Sequence, residues 1–522
     1  MGARFAEAAP DAALARWSQL TLGEIVRRQA HRRPTAVAIE WAGTEVTYGE
    51  LHGRAEALGN ALAELGVGPG DRVAIRLHNC LEMVESLFAC HLLGAVAVPI
   101  NMRLTATEVE YMVGDCEASL AIADEQGRAL GEGWPDIRWL TVGGAGAESY
   151  EEAIRSQPAR ALELPVDDDD AAFIVYTSGT TGRPKGAVLT HKNFVTNALS
   201  FIFEIGVRGT DVWTSPFPLF HVGGLVGLYP FLLVGTRINL LPSVAFDPAA
   251  TLAALGAASM CAMVPMQWEL VLAEAGADQT LGGIKRAIWG AAPASRPLLE
   301  RMQEALGPTA VVCTFGQTEV TANATFLRPE DSLTKIGSVG RPALTVEHRV
   351  VDAADADVAP GEVGEIVYRG PTVMRGYWHR PEATAEAFGG GWFHSGDLVR
   401  EDDDGYLYVV DRKKDLIISG GENVYPAEVE RVLLEDPAVA DVAVVGVDDE
   451  RWGERPVAYV VARGELTAGR LIDACDGKLA RYKIPGAVVF VDELPRNSGG
   501  KVLKRELRER PAGDLGPRTS QG

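Results

Sequence analysis

Residues 171–186 read AAFIVYTSGTTGRPKG. The first five are apolar, which suits a short strand buried on both faces. The loop that follows holds four hydroxyls (Thr177, Ser178, Thr180, Thr181), two glycines (Gly179, Gly182) and Lys185. The glycines permit a tight loop whose N–H groups can converge on an anion, the hydroxyls add donors, and the lysine adds charge. A flexible turn would account for the glycines alone. The loop lacks the GK[ST] that closes a Walker loop, so the cradle is of another kind. A buried strand running into an anion cradle points to an α/β protein that binds a phosphate ligand.

Working outward, residues 47–65 carry apolar positions at helical spacing, and GVGPG at 66–70 breaks that pattern. Residues 72–77 then form a short buried strand, 81–93 a second helix, and 95–100 another apolar strand. Similar alternation recurs over 194–241 and 252–312, the signature of largely parallel α/β sheets. A chain of 522 residues and 55.8 kDa exceeds one ordinary core. A second compositional unit begins near Asp411, with a helix at 426–435, strands at 439–447 and 457–461, and a basic end. Residues 495–510 hold six Lys or Arg against two Glu, although the whole chain carries −22. That inversion suggests a small domain that meets phosphates.

The net charge argues against nucleic acid as a partner, since a polyanion is repelled by most of the surface. The acidic runs at 167–170 and 401–404 read as solvated loops. Six cysteines without zinc or redox spacing suit a reducing cytoplasm. No secretory leader is expected in the first thirty residues. Residues 212–236 lack Asp, Glu, Lys and Arg, but three prolines, His221 and four glycines favour buried strand, loop and helix over a membrane span.

With these residues in view, the loop resembles the phosphate signature of the adenylate-forming superfamily, which contains acyl-CoA synthetases, luciferases and peptide-synthetase adenylation domains. Four further motifs follow in that superfamily's order: FGQTE at 315–319, GWFHSGDL at 391–398, DRKKDLIISGGENVYPAEVE at 411–430 and PRNSGGKVLKREL at 495–507. The resemblance implies a large N-terminal domain, 1–413, of stacked α/β sheets plus a small β-barrel. It implies a small mobile C-terminal α/β lid, 414–510, with a disordered tail at 511–522. It also implies ATP, magnesium and coenzyme A as cofactors and a small-molecule carboxylic acid as substrate, with a homodimer left open.

The same resemblance assigns roles residue by residue. Glu319 matches the magnesium-organising carboxylate, and a hard dication held by one carboxylate plus waters is normal for magnesium. Thr318 matches the α-phosphate contact, with Gln317, Gly290, Ala291 and Ala292 beside the nucleotide. Asp397 and Arg412 match the ribose contacts, and Lys414 the hinge. Gly420 and Gly421 fall in the loop that approaches the pantetheine channel. Lys501 matches the lysine that bridges the attacking carboxylate and the α-phosphate, offsetting the repulsion of two anions.

The implied acyl site draws on 217–228, 263–268 and 289–293, apolar apart from His221 and Gln267, which favours a hydrophobic acid. His221 matches a gate at the carboxylate end, a structural histidine being the alternative, and Val222, Gly223, Gly224 and Trp289 lie beside it. No acid occurs between 217 and 233 to hold an ammonium, so amino-acid activation is disfavoured. Trp289 stands where the superfamily usually has Ser, Thr or Gly. NMRLT at 101–105 and GGENVYPAEVE resemble bacterial fatty-acyl or aryl-CoA ligases, and the expected setting is fatty acid metabolism. Transfer of the acyl group to a carrier protein, a luciferase-type oxidation and a silent acyl- or adenylate-binding protein are the competing readings.

Overall fold

The computed structural model describes residues 19–131, 137–162, 164–177, 183–276, 281–292, 294–307, 310–420, 422–449, 451–496 and 502–510. By packing, the chain forms two compact units. One is built from residues up to His348 together with Tyr368–Phe393; the other comprises Arg349–Val367 and everything from His394 onward.

The larger unit contains two broad sheets. In the first, Met260–Met263, Arg286–Gly290 and Val311–Phe315 lie side by side and parallel, and Val212–Ser215, Arg237–Leu240 and Val37–Trp41 continue the parallel array. The helices Pro248–Leu255, Pro265–Ala275 and Arg296–Leu306 make crossovers between these strands, as parallel pairing requires. In the second sheet the order is Gly376–Tyr377, Lys185–Thr190, Ala171–Thr177, Val96–Pro99, Arg72–Arg76, Leu120–Asp124, Arg138–Val142. The helices expected from periodicity appear as Tyr48–Glu64 and Leu81–Leu93. Thr47 starts the first through a capping box with Glu50, and Gly94 ends the second at φ +75°.

Residues 212–236 fold as a strand, Val212–Ser215, and two short helices, Val222–Leu225 and Tyr229–Val234. Among the described residues no helix is long and apolar enough to cross a membrane. Phe88, Phe173, Phe194 and Tyr229 form an aromatic core between the second sheet and its helices, with edge-to-face contacts at 5.4–6.2 Å among them.

The Trp392–Glu401 and Leu407–Arg412 strands pair antiparallel within a five-stranded sheet that lies mostly in the smaller unit. A further sheet holds the long hairpin Val439–Asp449 and Gly453–Ala462, with Ile417–Ser419 and Ala487–Phe490 both pairing with Gly453–Ala462 on the edge away from Val439–Asp449. The helix Pro426–Leu433 buries Val429, Val432 and Leu433 against this sheet.

Candidate active site

Thr177 and Lys185 end two antiparallel strands and face each other in register. The loop between them is therefore tethered at both ends. Ser178, Gly179, Thr180, Thr181 and Gly182 lie outside the described residues, as do Gly421 and Lys501.

Glu319 sits in a single 3-10 turn, Thr318–Val320, just beyond the C-terminal end of the Val311–Phe315 strand. Ligands of open parallel sheets bind at such strand ends. The turn is tight. Gly316 has φ +154°, and a Cβ there would stand 2.2 Å from the Ala322 carbonyl oxygen, so only glycine fits. Thr321 and Ala322 are both left-handed, at φ 57° and 67°, a conformation that strains non-glycine residues. It is held by the Thr321 hydroxyl donating to the Thr372 carbonyl at 2.7 Å and by Ala322 N–H donating to the Gln317 carbonyl at 2.9 Å.

This turn leaves Glu319 only 8 % exposed. Its Oε1 accepts from the Tyr377 hydroxyl at 2.9 Å and, more weakly, from Thr177 Oγ1 at 3.5 Å. Oε2 has no hydrogen-bond partner among the described residues. Lys185 Nζ stands 5.2 Å from the Tyr377 ring centroid, within cation–π range. Burial and then the Glu319 charge push the Tyr377 phenol above its usual pKa, so it stays a donor. The structure thus brings Thr177, Lys185 and Glu319 together as expected from the motifs. It adds Tyr377, which sequence reasoning missed. The only local signal was a tyrosine in GYW, ordinary for a strand.

At the adjacent strand end, Gly290 packs so closely that a Cβ would lie 2.4 Å from the Thr314 carbonyl oxygen. Ala291 and Ala292 are exposed, Ala291 with φ 65°. Trp289 faces Met263 and Cys313 in register and is 5 % exposed. The indole N–H of Trp289 and the amide Nε2 of Gln317 are both buried without a partner among the described residues.

His221 caps the Val222–Leu225 turn, its Nδ1 accepting from Gly223 N–H at 3.0 Å. His221 as a residue is exposed, yet desolvation by the surrounding protein holds its pKa below the usual histidine value. It is therefore neutral at pH 7, and with Nδ1 accepting, the proton resides on Nε2. Gly224 is crowded, since a Cβ there would lie 2.2 Å from the Pro218 carbonyl oxygen. Val222 is core. Asn79, also missed, anchors this segment: its Oδ1 accepts from Leu219 N–H at 2.7 Å, and its Nδ2 donates to the carbonyls of Phe217 (2.9 Å) and Leu241 (3.1 Å).

In the smaller unit, Asp397 is buried opposite Arg412, whose Nε meets Asp397 Oδ1 at 2.5 Å. Glu365 accepts from Gly396 N–H at 2.9 Å and pairs with Lys413 Nζ at 2.9 Å. Lys414 is exposed in a one-turn 3-10 helix between two anchored acids. Asp411 accepts from Ala427 N–H at 2.8 Å, and Asp415 pairs with Arg508 at 2.9 Å. Gly420, at φ 62°, abuts the exposed Trp452, whose ring would be 2.9 Å from a Cβ. The Asp167–Asp169 acids group in an exposed loop, as the charge run suggested.

Residues 26–378 match the AMP-binding enzyme family, and residues 428–501 match the AMP-binding enzyme C-terminal domain. The 2-succinylbenzoate–CoA ligase of Geobacillus kaustophilus is 40% identical over 506 residues, 96% of this chain and 99% of that protein. Among solved structures, the o-succinylbenzoate CoA synthetase of Bacillus subtilis bound to its acyl-adenylate intermediate is 34% identical with a TM-score of 0.85, covering 93% of this chain and 98% of that one. The same synthetase in complex with ATP and magnesium also matches at TM-score 0.85 and 34% identity, covering 93% and 99%.

Proposed function

The chain belongs to the AMP-binding enzyme family, and from that premise we propose that it is an ATP-dependent, AMP-forming acid–CoA ligase acting on an aromatic keto acid of the 2-succinylbenzoate type. The observation that carries this reading is the 40% identity to a 2-succinylbenzoate–CoA ligase along 99% of that protein's length. A fatty acid, one of the two classes expected from the motif wording, gives way to the aryl class, since the relatives named above act on 2-succinylbenzoate. The two buried, unpartnered donors of Trp289 and Gln317 support an acid with acceptor oxygens besides its reacting carboxylate.

In the first half-reaction a carboxylate oxygen of the acid attacks the α-phosphorus of ATP, and pyrophosphate leaves. Thr177, Lys185 and the loop between them hold the phosphates, Thr318 contacts the α-phosphate, and Gly290, Ala291 and Ala292 border the base. Asp397 accepts from the ribose hydroxyls with Arg412 beside it. Neutral His221 presents an Nε2–H donor at the acid, and Lys501 lies between the two anions. Glu319 suits a hard cation, since Oε1 is held by Tyr377 while Oε2 has no partner among the described residues. Glu319 would hold magnesium there, and the ion would supply charge neutralisation at the phosphates. In the second half-reaction the CoA sulfur attacks the acyl carbon, the bond to AMP breaks, and the thiol proton leaves with AMP or to water. Rotation of 414–510 about Lys414 would exchange Lys501 for Gly420 and Gly421 between the two steps. Six free, buried cysteines accord with a reducing cytoplasm.

The test supplies the full-length enzyme with ATP, magnesium, CoA and, separately, 2-succinylbenzoate, benzoate, anthranilate and octanoate, with mass spectrometry of acyl-AMP and acyl-CoA. Expected is a kcat/KM preference for 2-succinylbenzoate. A preference for octanoate would sink the substrate assignment.

A further inference from the structure

Tyr377 is fixed before its side chain does anything. It lies in the edge strand Gly376–Tyr377, opposite Ala187 on the Lys185–Thr190 strand. On either side, Arg375 N–H donates to the Val188 carbonyl at 2.9 Å and Trp378 N–H to the Gly186 carbonyl at 2.8 Å. Its own N–H donates to Thr384 Oγ1 at 2.9 Å, and Thr384 Oγ1 donates to the Arg380 carbonyl at 2.9 Å. Gly376 must be glycine here, with φ +150° and the Thr384 methyl 2.8 Å from a would-be Cβ. The phenol is therefore delivered by a backbone tied on both sides.

That one side chain touches two oppositely charged groups in different ways. Its hydroxyl donates to Glu319 Oε1 at 2.9 Å, while Lys185 Nζ lies 5.2 Å from its ring centroid. Among the described residues Lys185 and Glu319 form no direct ion pair. A direct pair would satisfy the lysine with the carboxylate and the carboxylate with the lysine, leaving less of either for phosphate or cation. A neutral aromatic between them attracts the ammonium through its face, and its hydroxyl takes up only Oε1 of the carboxylate, leaving Oε2 without a partner among the described residues.

We propose that Tyr377 is a positioning residue that keeps the acid and the base of this site apart, its hydroxyl orienting Glu319 for a divalent cation and its ring seating Lys185 for phosphate. This rests on the reading of Glu319 as the cation-binding carboxylate and Lys185 as a phosphate ligand. The division of labour is separable, because phenylalanine keeps the ring and deletes only the hydroxyl, whereas leucine deletes both.

The experiment uses the full chain as wild type, Tyr377→Phe and Tyr377→Leu, with the folded fraction set by thermal unfolding. Manganese binding in the presence of ATP is titrated by electron paramagnetic resonance, and ATP binding in EDTA is measured by equilibrium dialysis. Tyr377→Phe is expected to weaken manganese binding roughly tenfold, the loss of one hydrogen bond to a charged group, with ATP binding in EDTA unchanged. Tyr377→Leu is expected to weaken both, the metal-free binding by roughly three- to fivefold as the cation–π contact goes. Wild-type manganese affinity in Tyr377→Phe would overturn the proposal, and so would an equal loss of metal-dependent and metal-free binding in that variant. Acyl-AMP formation by the wild type is scored in parallel. A wild type that binds manganese and ATP but adenylates no acid removes the ligase reading and leaves the role of Tyr377 standing.

Discussion

Adenylation brings the acid's carboxylate toward the α-phosphate, and a lysine between these anions stabilises the charge that develops only there. Lys501→Ala is therefore expected to slow acid-dependent pyrophosphate exchange by roughly 100-fold or more, while thioester formation from supplied acyl-adenylate survives. If both half-reactions fall together in a folded variant, alternation of the small domain is the wrong account. Trp289 poses the opposite problem, since its indole is buried in a sheet opposite Met263 and Cys313. Removing it outright would cost about 3–5 kcal/mol of stability, so Trp289→Ser mixes unfolding with any change in acid preference. Trp289→Phe keeps most of the volume, deletes the N–H, and is expected to lose less than about 1.5 kcal/mol. Its kcat/KM ratio for 2-succinylbenzoate over benzoate is expected to fall. An unchanged ratio would mark the indole as packing alone.

Among the elements, the segment leading to His221 depends on a residue outside it. Asn79 follows the Arg72–Arg76 strand and makes three side-chain hydrogen bonds to backbone groups of Phe217, Leu219 and Leu241. Three of its four side-chain hydrogen-bonding positions go to loop backbone, which would otherwise lose those partners. Asn79→Ala strands these groups and is expected to cost about 2–4 kcal/mol in chemical denaturation. It should also raise KM for the acid more than KM for ATP, because the displaced loop carries the proposed acyl site. Equal changes in both constants would mean a general loss of order. Glu319 illustrates the same dependence, since its turn exists only because Gly316 admits the Ala322 carbonyl.

For the whole molecule, two fully buried histidines set the acid limit. His91 and His191 pack with ring centroids 5.4 Å apart inside the aromatic core. Burial holds His91 well below the ordinary value and His191 at about 3. Both are neutral when folded and bind a proton near pH 6.5 when unfolded. The unfolded state thus binds more protons as pH drops through 6.5, so stability is full above that value and declines below it. The decline approaches about 1.4 kcal/mol per pH unit for each ring and continues toward the folded pKa values. Urea unfolding at pH 7.5, 6 and 5 should show it, and His191→Asn should flatten the slope. An unaltered slope in that variant would assign the acid sensitivity to the carboxylates.

The helices at 48–64 and 81–93, the buried character of 212–236 and the order of the motifs were all legible in the sequence. Each depends on residues close together in the chain, where periodicity, glycines and caps act locally. The partnership of Thr177 with Glu319 spans 142 positions, and that of Tyr377 with Glu319 spans 58. Motif resemblance could place the first two in one site, but nothing local told Tyr377 from any other strand tyrosine. Likewise nothing local showed that the Pro218 carbonyl crowds Gly224. Such contacts follow from which strands pair and in what register, and a slip of one residue turns every side chain to the other face. The sequence by itself determined the chemistry that the loops carry. Only the tertiary structure decided which side chains meet, because sheet register is settled by packing over the whole domain.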